Sequence, residues 1–275
     1  MVRGFYPFCG VPGHEFVGEV ETGPEHLRGR RVVGEINIVC GKCEACARGH
    51  KTHCTDRAAL GIKGHDGAFA EYLSLPAENL HVIPDTVSTD AATFVEPLAA
   101  ALQIQEQISI GSDHRVCVVG AGKLGTLIIY TLALTGAAVT VVGRRPSTLG
   151  RFERIGVETR TPDQIEPASF DISVECTGNA DGFGLAQSAL RPRGTMVMKS
   201  TYTGELTFDA SSLVVDEITL IGSRCGPFSP SIELLASGRV DVSSLIEERY
   251  PLSRGLDAFE HAKKRGALKV LIEPV

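Results

Sequence analysis

The sequence holds 275 residues, 43% hydrophobic and 22% charged, enough apolar content for one large domain or two smaller ones. Lys and Arg number 27 against 33 Asp and Glu, a net charge of −6, with no long basic run. That balance argues against nucleic acid or an anionic membrane as partner.

The chain opens MVRGFYP, without the apolar stretch and small-residue cleavage site of a secretory signal. His14 and Glu15 follow a Pro12-Gly13 turn at the mouth of a strand, a placement suited to a metal-binding pair; a catalytic zinc needs three protein ligands and one open position. Short runs such as EFVGEVE, RRVVGEINI and FAEYLSLP, punctuated by Gly and Pro, predict a compact β-rich module.

Within that module Cys40, Cys43, Cys46 and Cys54 form C-x2-C-x2-C-x7-C. Four thiolates in fifteen residues, with Gly41 and Gly49 letting the loop fold back, predict a closed tetrahedral zinc site. Cysteines three apart are too near for a disulfide framework, so a reducing, cytoplasmic setting is expected. A closed site offers no open position and holds a loop together, so any chemistry lies elsewhere.

Residues 94 to 108, FVEPLAAALQIQEQI, read as a helix. After it, HRVCVVGAGKLGTLIIYTLALTGAAVTVVGRRP reads as strand, glycine-rich turn, helix and strand, with Gly120, Gly122 and Gly125 as G-x-G-x-x-G in the context a dinucleotide fingerprint requires. The helix opening at Lys123 and Leu124 would offer amide donors to a pyrophosphate. The uncharged run 124 to 142 is long enough to cross a bilayer, but Gly136 splits it and AVTVV after it suits a strand, so no membrane span is expected.

At the tip of the second strand an acid would bind the ribose of NAD. Here stand Arg144 and Arg145, able to grip a 2′-phosphate, so NADP is expected over NAD; the alternative is two arginines facing solvent. FDISVECTG (170 to 178), GTMVMKS (194 to 200) and EITLIGS (217 to 223) continue a doubly wound parallel sheet. Ligands collect at the carboxyl ends of such strands, which places Thr177, Ser200 and Ser223 near a cofactor, each also explicable as a turn residue. GALKVLIEPV predicts a last strand.

GHEFVGEV, the four-cysteine lobe, DGAFAEY, VEPLAAAL and GAGKLG together resemble, in order and spacing, the zinc-containing medium-chain dehydrogenase/reductase family of alcohol, polyol and threonine dehydrogenases. The resemblance implies an α/β protein: a GroES-like β-rich catalytic module, residues 1–103 and 240–275, interrupted by a Rossmann domain, residues 104–239. It implies a catalytic zinc on His14, with Glu15 either a ligand or a group behind the ligands, and Glu96 where alcohol dehydrogenases have a zinc cysteine. It aligns Arg144 with the NAD-selective acid and Lys269 with a basic residue aimed at the pyrophosphate. The activity implied is zinc-assisted hydride transfer between NAD(P) and a small-molecule secondary alcohol, polyol or amino alcohol, or its carbonyl counterpart, in a homodimer or homotetramer.

The family's first catalytic ligand is a cysteine ahead of the His-Glu pair, and counting back from His14 runs past the start of the sequence. The expectation is therefore a member lacking its N-terminal segment; the alternative is a zinc- and nucleotide-binding chain without turnover. Cys9 is read as a loop thiol and His65 as a turn residue, with a metal-ligand and a pocket role as their respective alternatives.

Overall fold

The computed structural model describes residues 8–202 and 204–274. The opening heptapeptide, where no secretory signal is expected, lies outside the described residues. The chain divides into two units: one runs to Ala99 and resumes at Pro227, and the other is Ala100–Gly226.

The first unit opens with β1 (Gly18–Glu19), β2 (Arg31–Gly34), β3 (Asn37–Ile38), β4 (Ala58–Leu60), β5 (Gly64–His65) and β6 (Leu80–Val82). β1, β2 and β6 form an antiparallel sheet in which Val32 faces Gly18 on one side and Val82 on the other. β3, β4 and β5 form a second three-stranded sheet. At Gly34, the last residue of β2, glycine is required, because a Cβ there would lie 2.4 Å from Leu75 and 3.0 Å from the Phe16 ring.

FAEYLSLP, expected to be a strand, is not one. Its first amide, Phe69, and those of Gly67 and Ala68 just before it serve another purpose: Gly67, Ala68 and Phe69 donate to the carbonyls of Val11, Gly13 and Pro12 at 2.7, 2.9 and 3.0 Å. Gly13, at φ +100°, breaks the extended path of its own segment, so the bonds cannot continue as a regular ladder.

Helices follow: α1 (Glu44–Ala47) in the cysteine lobe, α2 (Thr89–Ala92) and α3 (Val95–Gln107). Ser88 Oγ caps α2 by accepting from the Ala91 amide at 3.1 Å. Val95, Leu98, Ala99, Ala101 and Ile104 are completely buried, which explains why α3 forms despite its Pro97; proline in the first helical turn has no amide that the helix needs.

The second unit alternates β7 (Arg115–Val119), α4 (Lys123–Ala133), β8 (Ala138–Val142), α5 (Pro146–Glu153), β9 (Glu158–Arg160), β10 (Phe170–Glu175), α6 (Ala180–Ser188), β11 (Leu190–Met198), α7 (Ala210–Val215) and β12 (Thr219–Gly222). All six strands pair in parallel in the order β12-β11-β10-β7-β8-β9, the doubly wound sheet expected. Val116, Val118, Val141 and Val174 are fully buried, as strands covered on both faces require. The run 124 to 142 resolves into α4, a turn at Gly136 and β8. Among the described residues no helix is long and apolar enough to cross a membrane.

The first unit resumes with α8 (Phe228–Ala236), β13 (Ile246–Pro251), α9 (Gly255–Ala262) and β14 (Lys269–Glu273), the two strands pairing in parallel. From the sequence, residues 227–239 are assigned to the Rossmann side; in the structure they group with the first unit. Ser231 Oγ donates to the Val95 carbonyl at 2.8 Å, and Phe228 packs on the His81 ring at 5.4 Å.

Candidate functional site

The four cysteines converge. Cys43 stands at the N-terminus of α1 and Cys46 lies one turn along it, while Cys40 and Cys54 flank the lobe. Their sulfurs all lie within 4.8 Å of one another, with Cys43 to Cys46 at 3.5 Å and Cys40 to Cys54 at 3.6 Å. A zinc ion about 2.3 Å from each of four thiolates sets them roughly 3.8 Å apart, so this donor set fits that ion. Without a cation the charges conflict. The Cys46 backbone amide foremost holds the Cys43 thiol down to about 6, whereas desolvation and then the bond to Cys43 push Cys46 up to about 12.

A second cluster brings together His14, Glu15 and Glu96, whose ligand atoms also lie within 4.8 Å of one another. Three features aim the segment that carries His14. Asp66 Oδ1 accepts from the Val11 amide at 2.8 Å, the Gly67–Phe69 amides bond its carbonyls, and glycines at 61 and 67 let it pass, since a Cβ on either would come within 2.1 Å of the Gly13 carbonyl. Glu96 lies in the first turn of α3, where the helix dipole favours a carboxylate. Burial pulls the His14 imidazole below its usual range, against the opposing pull of Glu15 and with help from Lys269; neutral imidazole is the form that binds metal.

Lys269, from β14, donates to the Glu15 carboxylate and to the Thr93 carbonyl at 3.0 Å. Cys9 is exposed and is not among the residues gathered with His14. His65 lies in β5, with Nδ1 2.8 Å from the Asp66 carbonyl.

In the second unit the glycine turn has the shape of an anion cradle. A Cβ on Gly125 would stand 2.1 Å from the Gly120 carbonyl, so only glycine lets α4 pack this close to β7. A Cβ on Gly122 would meet nothing within 4 Å, which leaves open space at the N-terminus of α4, ahead of Lys123 and Leu124. A pyrophosphate fits there on both counts.

Beyond β8, Arg144 is exposed and Arg145 half-buried at the start of α5. The Thr177 hydroxyl is turned inward and donates to Glu175 at 2.6 Å. Ser223 Oγ accepts from Lys199 Nζ at 3.1 Å.

Sequence reasoning passed over Glu175, Lys199 and Tyr202. Glu175 is completely buried and bonds the turn that follows it. Lys199 ties β11 to the carbonyls of Ala100 and Arg224 at 2.6 and 3.0 Å. The available signal is local: a carboxylate that ends β10 and an ammonium one residue past β11.

Residues 1–85 match the alcohol dehydrogenase GroES-like domain family, and residues 124–237 match the zinc-binding dehydrogenase family. A sorbitol dehydrogenase of Halalkalibacterium halodurans is 28% identical over 99% of this chain and 86% of its own. An L-threonine 3-dehydrogenase of Pyrococcus horikoshii is 30% identical over 92% of this chain and 77% of its own. A solved structure from Sinorhizobium meliloti 1021, described as a zinc-binding dehydrogenase bound to NADP, superposes with a TM-score of 0.88 at 26% identity, covering 96% of this chain and 84% of that one. With both units matched in sequence and fold, the protein belongs to the zinc-containing medium-chain dehydrogenase/reductase family, as an alcohol-dehydrogenase-like oxidoreductase.

Proposed function

We propose that the chain binds zinc at both clusters and passes a hydride between a nicotinamide cofactor and a secondary alcohol, polyol or amino alcohol. The observation that carries this reading is the convergence of His14, Glu15 and Glu96 outside the four-cysteine lobe. Relatives named for sorbitol and L-threonine support the substrate class, small molecules that bear a hydroxyl on carbon. When bound, zinc supplies Lewis acidity to an alcohol or carbonyl oxygen, and the nicotinamide exchanges the hydride.

The chain's own residues would do the holding. His14 offers a neutral nitrogen, and Glu15 and Glu96 offer hard oxygen donors, a set that favours polar, hydroxylated ligands beside the metal. Gly120, Gly122 and Gly125 with the α4 amides of Lys123 and Leu124 would hold the pyrophosphate, with Thr177, Ser223 and Lys269 as further cofactor residues. Arg144 and Arg145, with no carboxylate at the β8 tip, support NADP over NAD.

For assembly we propose a homodimer or homotetramer built on β12. It is the outer strand of the sheet and is largely exposed, and Val214 and Val215 nearby are 77% and 80% exposed. A cytoplasmic location agrees with the reduced thiols that the zinc lobe requires.

One observation favours a second reading, zinc and nucleotide binding without turnover: Lys269 already neutralises Glu15. Zinc content per chain, measured with turnover of NADPH and NADH on polyols, secondary alcohols and L-threonine, separates the two. Two zincs with turnover supports the enzyme. One zinc with cofactor binding and no turnover supports the second reading, and absence of both metal and cofactor binding overturns both.

A further inference from the structure

We infer that Glu175 is a positioning residue for the dinucleotide, a carboxylate sealed under the tips of β10 and β11 that fixes the Thr177–Gly178 turn as the wall facing the glycine-rich turn. The inference rests on the reading of the second unit as nicotinamide-dinucleotide-binding.

Glu175 occupies an expensive place for a charged group. Phe170, Ile172, Ser173 and Val174 of β10 are buried, and Glu175, the last residue of the strand, is 0% exposed. A carboxylate there is tolerated only if its oxygens are met by donors. They are: Oε1 accepts from the Thr177 amide at 2.5 Å, the Thr177 hydroxyl at 2.6 Å and the Gly178 amide at 3.0 Å. Oε2 accepts from the Tyr202 hydroxyl at 2.6 Å. Burial, followed by the facing carboxylate, raises the Tyr202 phenol above its usual range, which keeps it a donor. One side chain thus ties together the turn after β10 and the segment after β11.

That turn is not peripheral. β7 and β10 are neighbours in the sheet, and strand order reverses between them. In such a sheet the crevice at the reversal is where a dinucleotide's pyrophosphate lies. Across it the two turns touch: a Cβ on Gly120 would lie 3.1 Å from the Cys176 carbonyl and from Thr177 Cγ2. Thr177 is wedged from behind as well, since a Cβ on Gly182 would fall 1.9 Å from its hydroxyl. Gly178 sits at φ +70°, a conformation that bonds to Glu175 help hold in place. Loosening the carboxylate therefore loosens one wall of the cradle while leaving every glycine in place.

The test titrates the zinc-containing protein with NADPH and with NADH, following reduced-nicotinamide fluorescence, for wild type, Glu175→Gln, Glu175→Asp and Glu175→Ala. Glutamine keeps the reach and one acceptor oxygen for the turn; aspartate keeps the charge but is one methylene short. The expected Kd lies within about threefold of wild type for Glu175→Gln and rises at least about tenfold for the other two. Rescue by glutamine alone among variants of similar melting temperature marks positioning, because a general loss of stability would follow no such order.

Equal affinities across the folded variants overturn the inference. Hydrogen exchange on the wild type tests it without any variant: the Thr177 and Gly178 amides should already be protected in the cofactor-free protein, and fast exchange there that slows only with NADPH overturns it. Wild type that binds neither nucleotide defeats the dinucleotide reading itself, whereas wild-type binding with a flat variant series defeats only the role given to Glu175.

Discussion

Lys269 donates to the Glu15 carboxylate across 254 positions of sequence, and the same ammonium donates to the Thr93 carbonyl at 3.0 Å above the Phe94 ring. The final strand is thereby fastened to the segment that carries His14. Glu15 is also one of the three residues of the second metal cluster. One carboxylate therefore answers to two cations, the ammonium and any metal held by His14 and Glu96.

Lys269→Met removes one competitor and should strengthen metal binding at that cluster. Stripping the second zinc from the variant is expected to need about tenfold more chelator than wild type, the equivalent of roughly 1.4 kcal/mol. In the metal-free form the melting temperature should fall by about 2–4 °C, because Glu15 loses its ion pair and Phe94 its cation. Titrating both proteins with a chelator while counting zinc decides it: a variant that loses metal more readily than wild type would show that the ammonium supports the metal site instead of competing for it.

The four-cysteine lobe carries a stability prediction. Its loop has no large core of its own, and Cys54 is its one buried cysteine. Cys43→Ser should lose the zinc of this lobe and lower the melting temperature by roughly 10 °C, the shift expected when about 3–4 kcal/mol of metal-linked stability is removed. Added zinc should restore none of it in the variant, whereas wild type stripped by chelator should recover on zinc addition. A variant that melts with wild type would mean that the lobe is held by something other than metal.

How much of this was readable beforehand varies by element, for physical reasons. β7 and β8 are legible because strands covered on both faces must be continuous β-branched runs, and the G-x-G-x-x-G between β7 and α4 is legible because the close approach of α4 to β7 at Gly125 excludes a Cβ. The zinc lobe is legible because ligand spacing within one loop is a local property. Local pattern misleads at FAEYLSLP: its alternation suits a strand, yet its first amide, Phe69, and the two before it are taken by the carbonyls of Pro12, Val11 and Gly13. The Lys269–Glu15 pair joins residues that no spacing rule relates. Glu175 is hidden for a different reason, since a charged residue at the end of a strand ordinarily marks the exit to solvent.

Arg144 allows a test of cofactor choice. Exposed beyond β8, with no carboxylate beside it at the strand tip, it can bond a 2′-phosphate that NADH lacks. Arg144→Ala should weaken NADPH by about 10- to 30-fold, the loss of a charge-assisted bond of about 1.5–2 kcal/mol, and leave NADH within about twofold. Kd values from direct titration of both nucleotides give the ratio; equal losses for the two would remove Arg144 from the selectivity argument.

The exposed edge at β12 predicts the assembly. Val214, Val215 and Leu220 are 77%, 80% and 40% exposed, and among the described residues β12 has a neighbour on one side only. Sedimentation of the wild type should show a dimer or tetramer, and Leu220→Lys with Val215→Glu should shift it toward monomer with an unchanged far-ultraviolet dichroism spectrum. A wild type that sediments as a monomer leaves this edge without the proposed role.

Glu158 opens β9, the other outer strand, and pairs with Thr140 of β8. Its carboxylate accepts from the Arg160 guanidinium at 2.7 and 2.9 Å and from Thr140 Oγ1 at 2.9 Å. The bond to Arg160 foremost holds the Glu158 carboxyl below the usual carboxylate range, against a smaller desolvation effect. A carboxyl lowered in the folded state is protonated first in the unfolded chain. Its contribution is therefore complete above the unfolded value, about 4.3, and disappears as pH falls through the folded one. The pair is half-exposed, so solvent limits its worth to about 1 kcal/mol at most. Glu158→Gln should melt about 2–4 °C below wild type at pH 6, and the two curves should converge as pH falls below the usual carboxylate range. Melting curves over that range read the convergence directly. Curves that stay parallel would place the contribution of Glu158 in packing against β8 and leave none to its charge. Because the Arg160 carbonyl also accepts from the Gly143 amide at 3.1 Å, one residue before Arg144, NADPH affinity should weaken over the same acid window in wild type and change less in Glu158→Gln.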